Sequence, residues 1–143
     1  MLPDLYATVD DMVQRFGADE ICMSDPSLDM PRGAIDEARI NQALADASDL
    51  INSYVQRRYE IPLAPVLPVV TRMCCLLARH DLALGAERAP SEQIKEGRQT
   101  AMAWLAAVAA GKATLDATVK NEDSGVWSRF QSRTPTVFRG RMW

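Results

Sequence analysis

Residues 35–59, IDEARINQALADASDLINSYVQRRY, carry the clearest helical pattern in this sequence of 143 residues. Apolar residues recur at the spacing of a helix that buries one face: Ile40, Leu44, Ala47, Ile51 and either Tyr54 or Val55. Asp36 and Glu37 lie at the start of the stretch, where negative charge suits the helix dipole. We expect Arg57 and Arg58 in the last turn, where positive charge suits it.

The long helix runs into the sequence RRYEIPLAPVLP, residues 57–68, which contains three prolines. Each proline disfavours the α region for the residue before it, so the stretch from 60 to 67 is predicted to be extended. The segment RRYEIPL, residues 57–63, is predicted to be a rigid extended elbow, and we use the name elbow for residues 57–67, as far as the next predicted helix. Its prolines, Pro62 among them, should fix the angle between two helices, and Tyr59 and Leu63 should attach it to the core.

Three further helices are predicted around this one. The first follows Thr8, whose side chain can cap it, and stops at Gly17; a short turn comes next. The second begins at Pro68, a favourable first helical residue, and carries the stripe Val69, Met73, Leu76, His80 and Leu84. The third runs from Ser91 to Gly111 with an apolar side made of Ile94, Ala101, Trp104, Leu105 and Val108. Residues 1–116 are therefore predicted to be an all-α bundle of about four helices.

Residues 117–143 have no helical period and contain short β-like pieces, which predicts an extended or short-β C-terminal arm. The arm holds two of the three tryptophans and two of the three phenylalanines. Aromatic residues and arginine are enriched at interfaces. Candidate docking residues are Trp127, Arg129, Phe130, Arg133, Phe138, Arg139, Arg141 and Trp143. The arm either docks on a partner or folds back on its own body.

The charge distribution is uneven, although the net charge of the whole chain is only −3. Residues 1–118 carry 11 Lys/Arg and 17 Asp/Glu, whereas residues 119–143 carry five basic and two acidic residues. An acidic body argues against a general nucleic-acid-binding domain. The start of the chain has no signal-peptide pattern, and no apolar run reaches the length of a membrane span, so we expect a protein that is cytosolic when made and has no membrane partner.

Cys74, Cys75 and His80 are the candidates for a metal site or a nucleophile, but their spacing does not place a cysteine and the histidine on one helix face as i, i+4 ligands. We expect buried structural cysteines and a histidine whose hydrogen bonds are satisfied. The acidic pairs Asp10/Asp11, Asp19/Glu20 and Asp36/Glu37 lie at or near helix starts, where the dipole explains them. We therefore expect no enzyme activity, no cofactor and no metal.

Four stretches together, YATVDDMVQRFG, ALADASDLINSYVQRRYEIPL, AMAWLAAVAAGKATL and SRTPTVFRGRMW, resemble the Mu-like phage and prophage head–tail adaptor family. The resemblance covers nearly the whole chain. Its most specific part is Tyr59 followed by Ile61-Pro62-Leu63, with the runs Asp46-Ala47-Ser48 and Ile51-Asn52-Ser53-Tyr54 before it. Asn52 stands where the family pattern favours an acidic residue, so a required charge at this position is not supported.

The resemblance implies a structural protein of the virion that is made in the host cytoplasm and assembles at the neck. Adaptors of this kind form a ring, typically of twelve copies, beneath the portal. The ring extends the channel for double-stranded DNA, which passes without sequence-specific binding, and docks the stopper or tail-completion protein. We expect Arg57, Arg58 and Glu60 at the subunit interface and the C-terminal arm on the portal; a solvated helix end is the other interpretation of the two arginines.

Two other classes of function remain open at this point. A small helical DNA-binding regulator encoded in a prophage would need a basic recognition helix, which the acidic body lacks. A small hydrolase using Cys74 or Cys75 would need a thiol that reacts in the native state.

Overall fold

The computed structural model describes residues 4–21, 34–84 and 89–117. Five helices lie in these ranges: α1 Val9–Phe16, α2 Ala18–Ile21, α3 Glu37–Val55, α4 Pro68–Leu84 and α5 Glu92–Ala109. These residues include no β-strand, so the described part of the chain is all-α, as predicted. The four longer helices and the short turn after the first were all predicted.

The centre of the molecule is the trio α3, α4 and α5, in which each helix packs against the other two. Helix α1 lies against α3 and α4, and α2 lies against α1. The predicted stripe of α3 is confirmed: its five apolar residues, with Val55 at the last position, are at most 2% exposed. Burial of this stripe on α4 and α5 holds the trio together, because apolar surface removed from water is the main stabilising contribution.

Helix starts follow the predicted caps. The hydroxyl of Thr8 accepts a hydrogen bond from the amide of Asp11 at 3.2 Å, and the Asp11 carboxylate accepts one from the amide of Thr8 at 2.9 Å. Ser91 caps α5 in the same way, through the amide of Ile94. The predicted stop at Gly17 is also confirmed, since this residue has a φ of 85° and its amide bonds back to α1.

Helix α3 ends earlier than predicted. It ends at Val55, so Arg57 and Arg58 lie in the turn after the helix, not in its last turn. The carbonyl of Val55 accepts hydrogen bonds from both Arg58 and Tyr59, at 3.0 and 2.9 Å. This shared acceptor tightens the chain into a turn, and the prolines that follow cannot continue a helix.

The stripe predicted on α4 is only partly right: Met73 is buried and Val69 and Leu76 are partly buried, but the most buried face is a different one. Leu84 is 61% exposed, whereas Val70, Cys74, Cys75 and Leu77 are at most 2% exposed. Most residues of the helix are apolar, so several stripes fit its sequence. Contacts with α3, α5 and α1 select the buried one.

Helix α5 buries its predicted side at Ala101, Leu105 and Val108, while Trp104 is only partly buried. Gly97 lies where α5 approaches α4. A Cβ atom there would lie 3.1 Å from Cδ2 of Leu76, which is a tight contact. The glycine thus allows the two helices to lie close together.

The elbow is non-helical, as predicted, but it is not straight. The chain bends at residues 61–62 and again at 64–65 before α4 begins at Pro68. The predicted boundary between body and arm lies at the edge of the described range, and the arm beyond residue 117 lies outside it.

Candidate docking site at the elbow

Tyr6 connects the N-terminal segment to three other parts of the fold. Its hydroxyl accepts a hydrogen bond from the amide of Leu63 at 3.0 Å and donates one to the side-chain carbonyl of Asn52. Its own amide donates to Ser48 at 3.1 Å, and its carbonyl accepts from the hydroxyl of Thr71 at 2.9 Å. Tyr6 therefore holds α3, the elbow and α4 together. Burial raises the pKa of the Tyr6 phenol.

Asn52 contributes a hydrogen-bond acceptor at this site. Its side-chain carbonyl is neutral and accepts a hydrogen bond from the hydroxyl of Tyr6. The bond is completed without placing a charge beside a buried phenol.

Tyr59 attaches the other end of the elbow. It is 3% exposed, and its hydroxyl accepts a hydrogen bond from the amide of Leu115 at 2.9 Å. Leu63 is equally buried. Tyr59 and Leu63 thus both lie in the buried core of the bundle.

The outer side of the elbow is exposed and mixes charge with apolar surface. Arg57, Arg58 and Glu60 are exposed, and so are Pro62, Ala64 and Pro65. Ile61 and Val66 are each 44% exposed, which is unusual for large aliphatic side chains. We call these eight residues the elbow surface. The exposure of Ile61 and Val66 was not predicted from the sequence. The neighbouring prolines were the one available signal of it, because they keep these residues out of a packed helix.

Arg58 does not extend freely into solvent. Its guanidinium lies over Gly111, so closely that a Cβ atom on this glycine would fall 1.8 Å from Nη1. Gly111 also has a φ of 79°, a conformation that favours glycine. Arg57 and Glu60 have no such contact in the described residues, which leaves them available on the elbow surface.

The two buried cysteines are poor nucleophiles. Cys74 and Cys75 are 0% exposed, and burial raises their pKa values to about 11 and about 12. The thiolate is the reactive form, so both are protonated and unreactive near neutral pH. Sγ of Cys74 lies 3.6 Å from the hydroxyl of Ser48, a contact that joins α4 to α3.

His80 differs from the prediction. Its Nδ1 atom is buried and has no hydrogen-bond partner in the described residues; the nearest carboxylate oxygen, Oδ1 of Asp81, is 3.9 Å away. The reason is that burial against the bundle removes water without supplying a hydrogen-bond partner for this atom. Within the described ranges, no three His, Cys, Asp or Glu side chains are grouped as a metal site would need.

The docking residues predicted in the arm, from Trp127 to Trp143, all lie outside the described residues. No helix in ranges 4–21, 34–84 and 89–117 combines the length and apolar character of a membrane span.

Comparison with known proteins gives three consistent results, one family model and two relatives. The family model described as Bacteriophage Mu, Gp36 matches residues 6–131. The Mu-like prophage FluMu protein gp36 of Haemophilus influenzae is 33% identical over 112 residues, which cover 70% of this chain and 77% of that protein. Gene product J of Escherichia phage Mu is 36% identical over 110 residues, which cover 75% of this chain and 73% of that protein.

Proposed function

The chain belongs to the bacteriophage Mu Gp36 family, and from this premise we propose that it is a head–tail adaptor of a Mu-like phage or prophage. In this role several copies form a ring beneath the portal at the neck of the virion. The ring continues the channel for double-stranded DNA and docks the stopper or tail-completion protein.

The observation that carries the proposal is the elbow surface. A flexible loop would lose conformational freedom on binding, and this loss weakens association. The elbow is instead fixed on its buried side by the hydrogen bonds of Tyr6 and Tyr59. Its outer side presents Ile61 and Val66 beside Arg57 and Glu60, a mixture of apolar and charged groups that suits a protein interface better than a small-molecule site.

The charge distribution supports the same role. DNA that must slide through a ring is held back by basic residues and is released more easily by an acidic surface. The body up to residue 118 is acidic, whereas the C-terminal arm is basic and aromatic. In the proposed role the body surrounds DNA and the arm docks on the portal.

The test is size-exclusion chromatography with light scattering. Full-length protein and a version ending at Thr118 are each run with and without the cognate portal ring. We expect the full-length protein to join the portal in a fixed multiple and the shortened protein to fail. If neither version binds the portal, the proposal is wrong, and a gel shift with double-stranded DNA becomes the test of the regulator alternative.

Variants of the elbow surface separate its role from that of the arm. Arg57→Glu and Ile61→Asp change exposed side chains and should leave the fold intact while reducing ring formation. Lys95→Glu is the matched control, because Lys95 is an exposed residue of α5 and gives the same change in net charge as Arg57→Glu. Assembly that survives both elbow variants unchanged would show that this surface is not the subunit contact.

A further inference from the structure

An open groove of about 640 Å³ crosses the face of α4 that points away from α3. Its floor consists of Arg72, Leu76 and Arg79, which repeat at helical spacing on α4. One wall comes from α1 and α2 and the other from α5, including Thr100; the wall residues are Arg15, Phe16, Glu20, Gln93, Glu96, Gly97 and Thr100. Three arginines therefore meet in one groove.

Among the described residues, Arg79 is the one groove arginine that forms an ion pair, although the side chain of Arg15 also lies within hydrogen-bond reach of the Cys75 thiol. Nε of Arg79 donates to Oε1 of Glu20 at 2.6 Å, and its guanidinium lies 4.4 Å from the centre of the Phe16 ring. Arg15 and Arg72 are exposed and form no ion pair with a carboxylate in the described residues. The groove thus presents two arginines outside any ion pair, together with the carboxylate of Glu96 on the α5 wall and the apolar floor residue Leu76.

The opposite face of the molecule carries the complementary charge. The exposed residues from 38 to 56, on α3 and at its C-cap, form one stripe along the helix: Ala38, Gln42, Asp46, Asp49, Ser53 and Gln56. The stripe contains two aspartates and no basic residue. Asp46 accepts a hydrogen bond from Gln42, whereas Asp49 has no partner in the described part of the chain.

Helical geometry places the two surfaces back to back. Cys74 lies on the side of α4 that contacts α3, through Ser48 and the carbonyl of Leu44. Arg72 and Leu76 are each two residues from Cys74, about 200° away around the helix, so they point away from α3. The stripe of α3 lies opposite to the side that α3 buries on α4.

From this arrangement we propose that the groove binds the acidic α3 stripe of a second copy of this chain, with Arg72 and Arg15 facing the neighbour's Asp49 and Asp46. A contact between two different faces is heterologous, and repeated heterologous contacts produce rings or open filaments. Complementary charges mainly fix the orientation and register of such a contact. The proposal rests on the adaptor function proposed above and adds a subunit contact that is separate from the elbow.

Chemical crosslinking tests this contact without removing either charge. In a Cys22→Ser background, Thr100→Cys places a thiol in the groove and Ser53→Cys places one on the stripe, both at exposed positions. The two single variants are mixed and treated with a short bismaleimide. A heterologous contact gives a crosslinked dimer in the mixture and little in either variant alone.

Charge reversal then identifies the residues that hold the contact. Adding Arg72→Glu to the Thr100→Cys chain should abolish its crosslink to the Ser53→Cys chain. When Asp49→Arg is also added to the Ser53→Cys chain, both charges are reversed and the crosslink should return. Ser53→Cys mixed with Lys95→Cys controls for random collision, because Lys95 lies on the side of α5 away from the groove.

The outcomes are separable from those of the proposed function. A crosslink that depends on Arg72 and is restored by Asp49→Arg supports the inference. No crosslink, one as strong in the Lys95→Cys control, or one insensitive to Arg72→Glu overturns it. Binding to the portal ring is measured independently, so an adaptor that binds the portal without this crosslink retains its function and loses only the proposed contact.

Discussion

The hydroxyl of Tyr6 accepts a hydrogen bond from the backbone amide of Leu63 at 3.0 Å, across 57 residues of sequence. The buried amide of Leu63 is thereby paired, and the same hydroxyl donates a hydrogen bond to the side-chain carbonyl of Asn52. One phenol thus fixes the position of the elbow relative to the N-terminal segment and α3. The exposed side of the elbow owes its fixed shape to this buried contact.

Tyr6→Phe should lower the free energy of unfolding by about 1–3 kcal/mol, because the amide of Leu63 loses its partner in a buried position. Urea denaturation monitored by circular dichroism measures the change. Tyr54→Phe is the matched control: Tyr54 is only partly buried and its hydroxyl has no bond in the described residues, so its loss should cost less than about 0.5 kcal/mol. Equal costs would show that the Tyr6 bonds are not important to stability.

Stability should fall as pH rises above about 9. The pKa values of Cys74 and Cys75 are raised to about 11 and about 12 from 9.0 by burial, so the unfolded chain loses these protons first. The contribution is fully present below pH 9 and is lost as pH approaches the folded-state values, on the order of a few kcal/mol in all. Denaturation midpoints between pH 7 and 10.5 measure it.

A Cys74→Ala/Cys75→Ala variant is the control for this pH dependence, and its stability should decline less steeply over the same range. Maleimide labelling gives a second check, since both thiols should stay unlabelled at pH 7 until denaturant is added. Rapid labelling of the native protein at either position would contradict the burial that underlies the prediction.

The ion pair between Arg79 of α4 and Glu20 of α2 should contribute more to stability than the pair between Lys95 and Glu92 within α5. Arg79 has a 13% exposed side chain, pairs with Glu20 at 2.6 Å and lies over Phe16, so Arg79→Ala should cost about 1–3 kcal/mol through lost pairing and packing. Lys95 and Glu92 form an exposed pair, and Lys95→Ala should cost less than about 0.5 kcal/mol. Thermal denaturation at low and high salt compares the two variants. A similar small effect for both would mean that the Arg79 contacts add little.

Glycine-to-alanine changes should separate backbone strain from packing. Gly17 has φ 85° and ψ 148°, a region open mainly to glycine, and nothing lies within 4 Å of an added Cβ. Gly17→Ala should therefore cost about 1–3 kcal/mol from backbone strain alone. At Gly97, in the middle of α5, alanine gains about 1 kcal/mol of helix propensity but presses on Leu76. We expect these two effects to offset each other within about 1 kcal/mol, as calorimetry can determine.

The sequence was most informative where a local pattern decides the structure. Thr8 and Ser91 act as the predicted caps, because capping depends on residues three positions apart, and Asp36, predicted only to suit the helix dipole, also caps α3. The stripe of α3 was predictable for the same reason. On α4, long-range partners choose among several apolar faces, so Leu84 was placed on the buried stripe and is exposed.

The candidate site was predicted only in part. Tyr59 and Leu63 could be assigned to the core as large apolar or aromatic residues on either side of Pro62, although the same reasoning did not separate them from the exposed Ile61. The role of Tyr6 could not be predicted, since its partners lie 42 to 65 residues away in sequence. Nor did charge counting reveal that Arg15 and Arg72, from different helices, meet in one groove.

The bonds of Tyr6 also have a consequence for the order of folding. Contacts between residues far apart in sequence form late, because the chain between them must first be brought together. Residue 6 finds its partners only after α3, the elbow and the start of α4 are in place. During synthesis the N-terminal segment emerges first, yet we expect it to dock after the three-helix centre has formed.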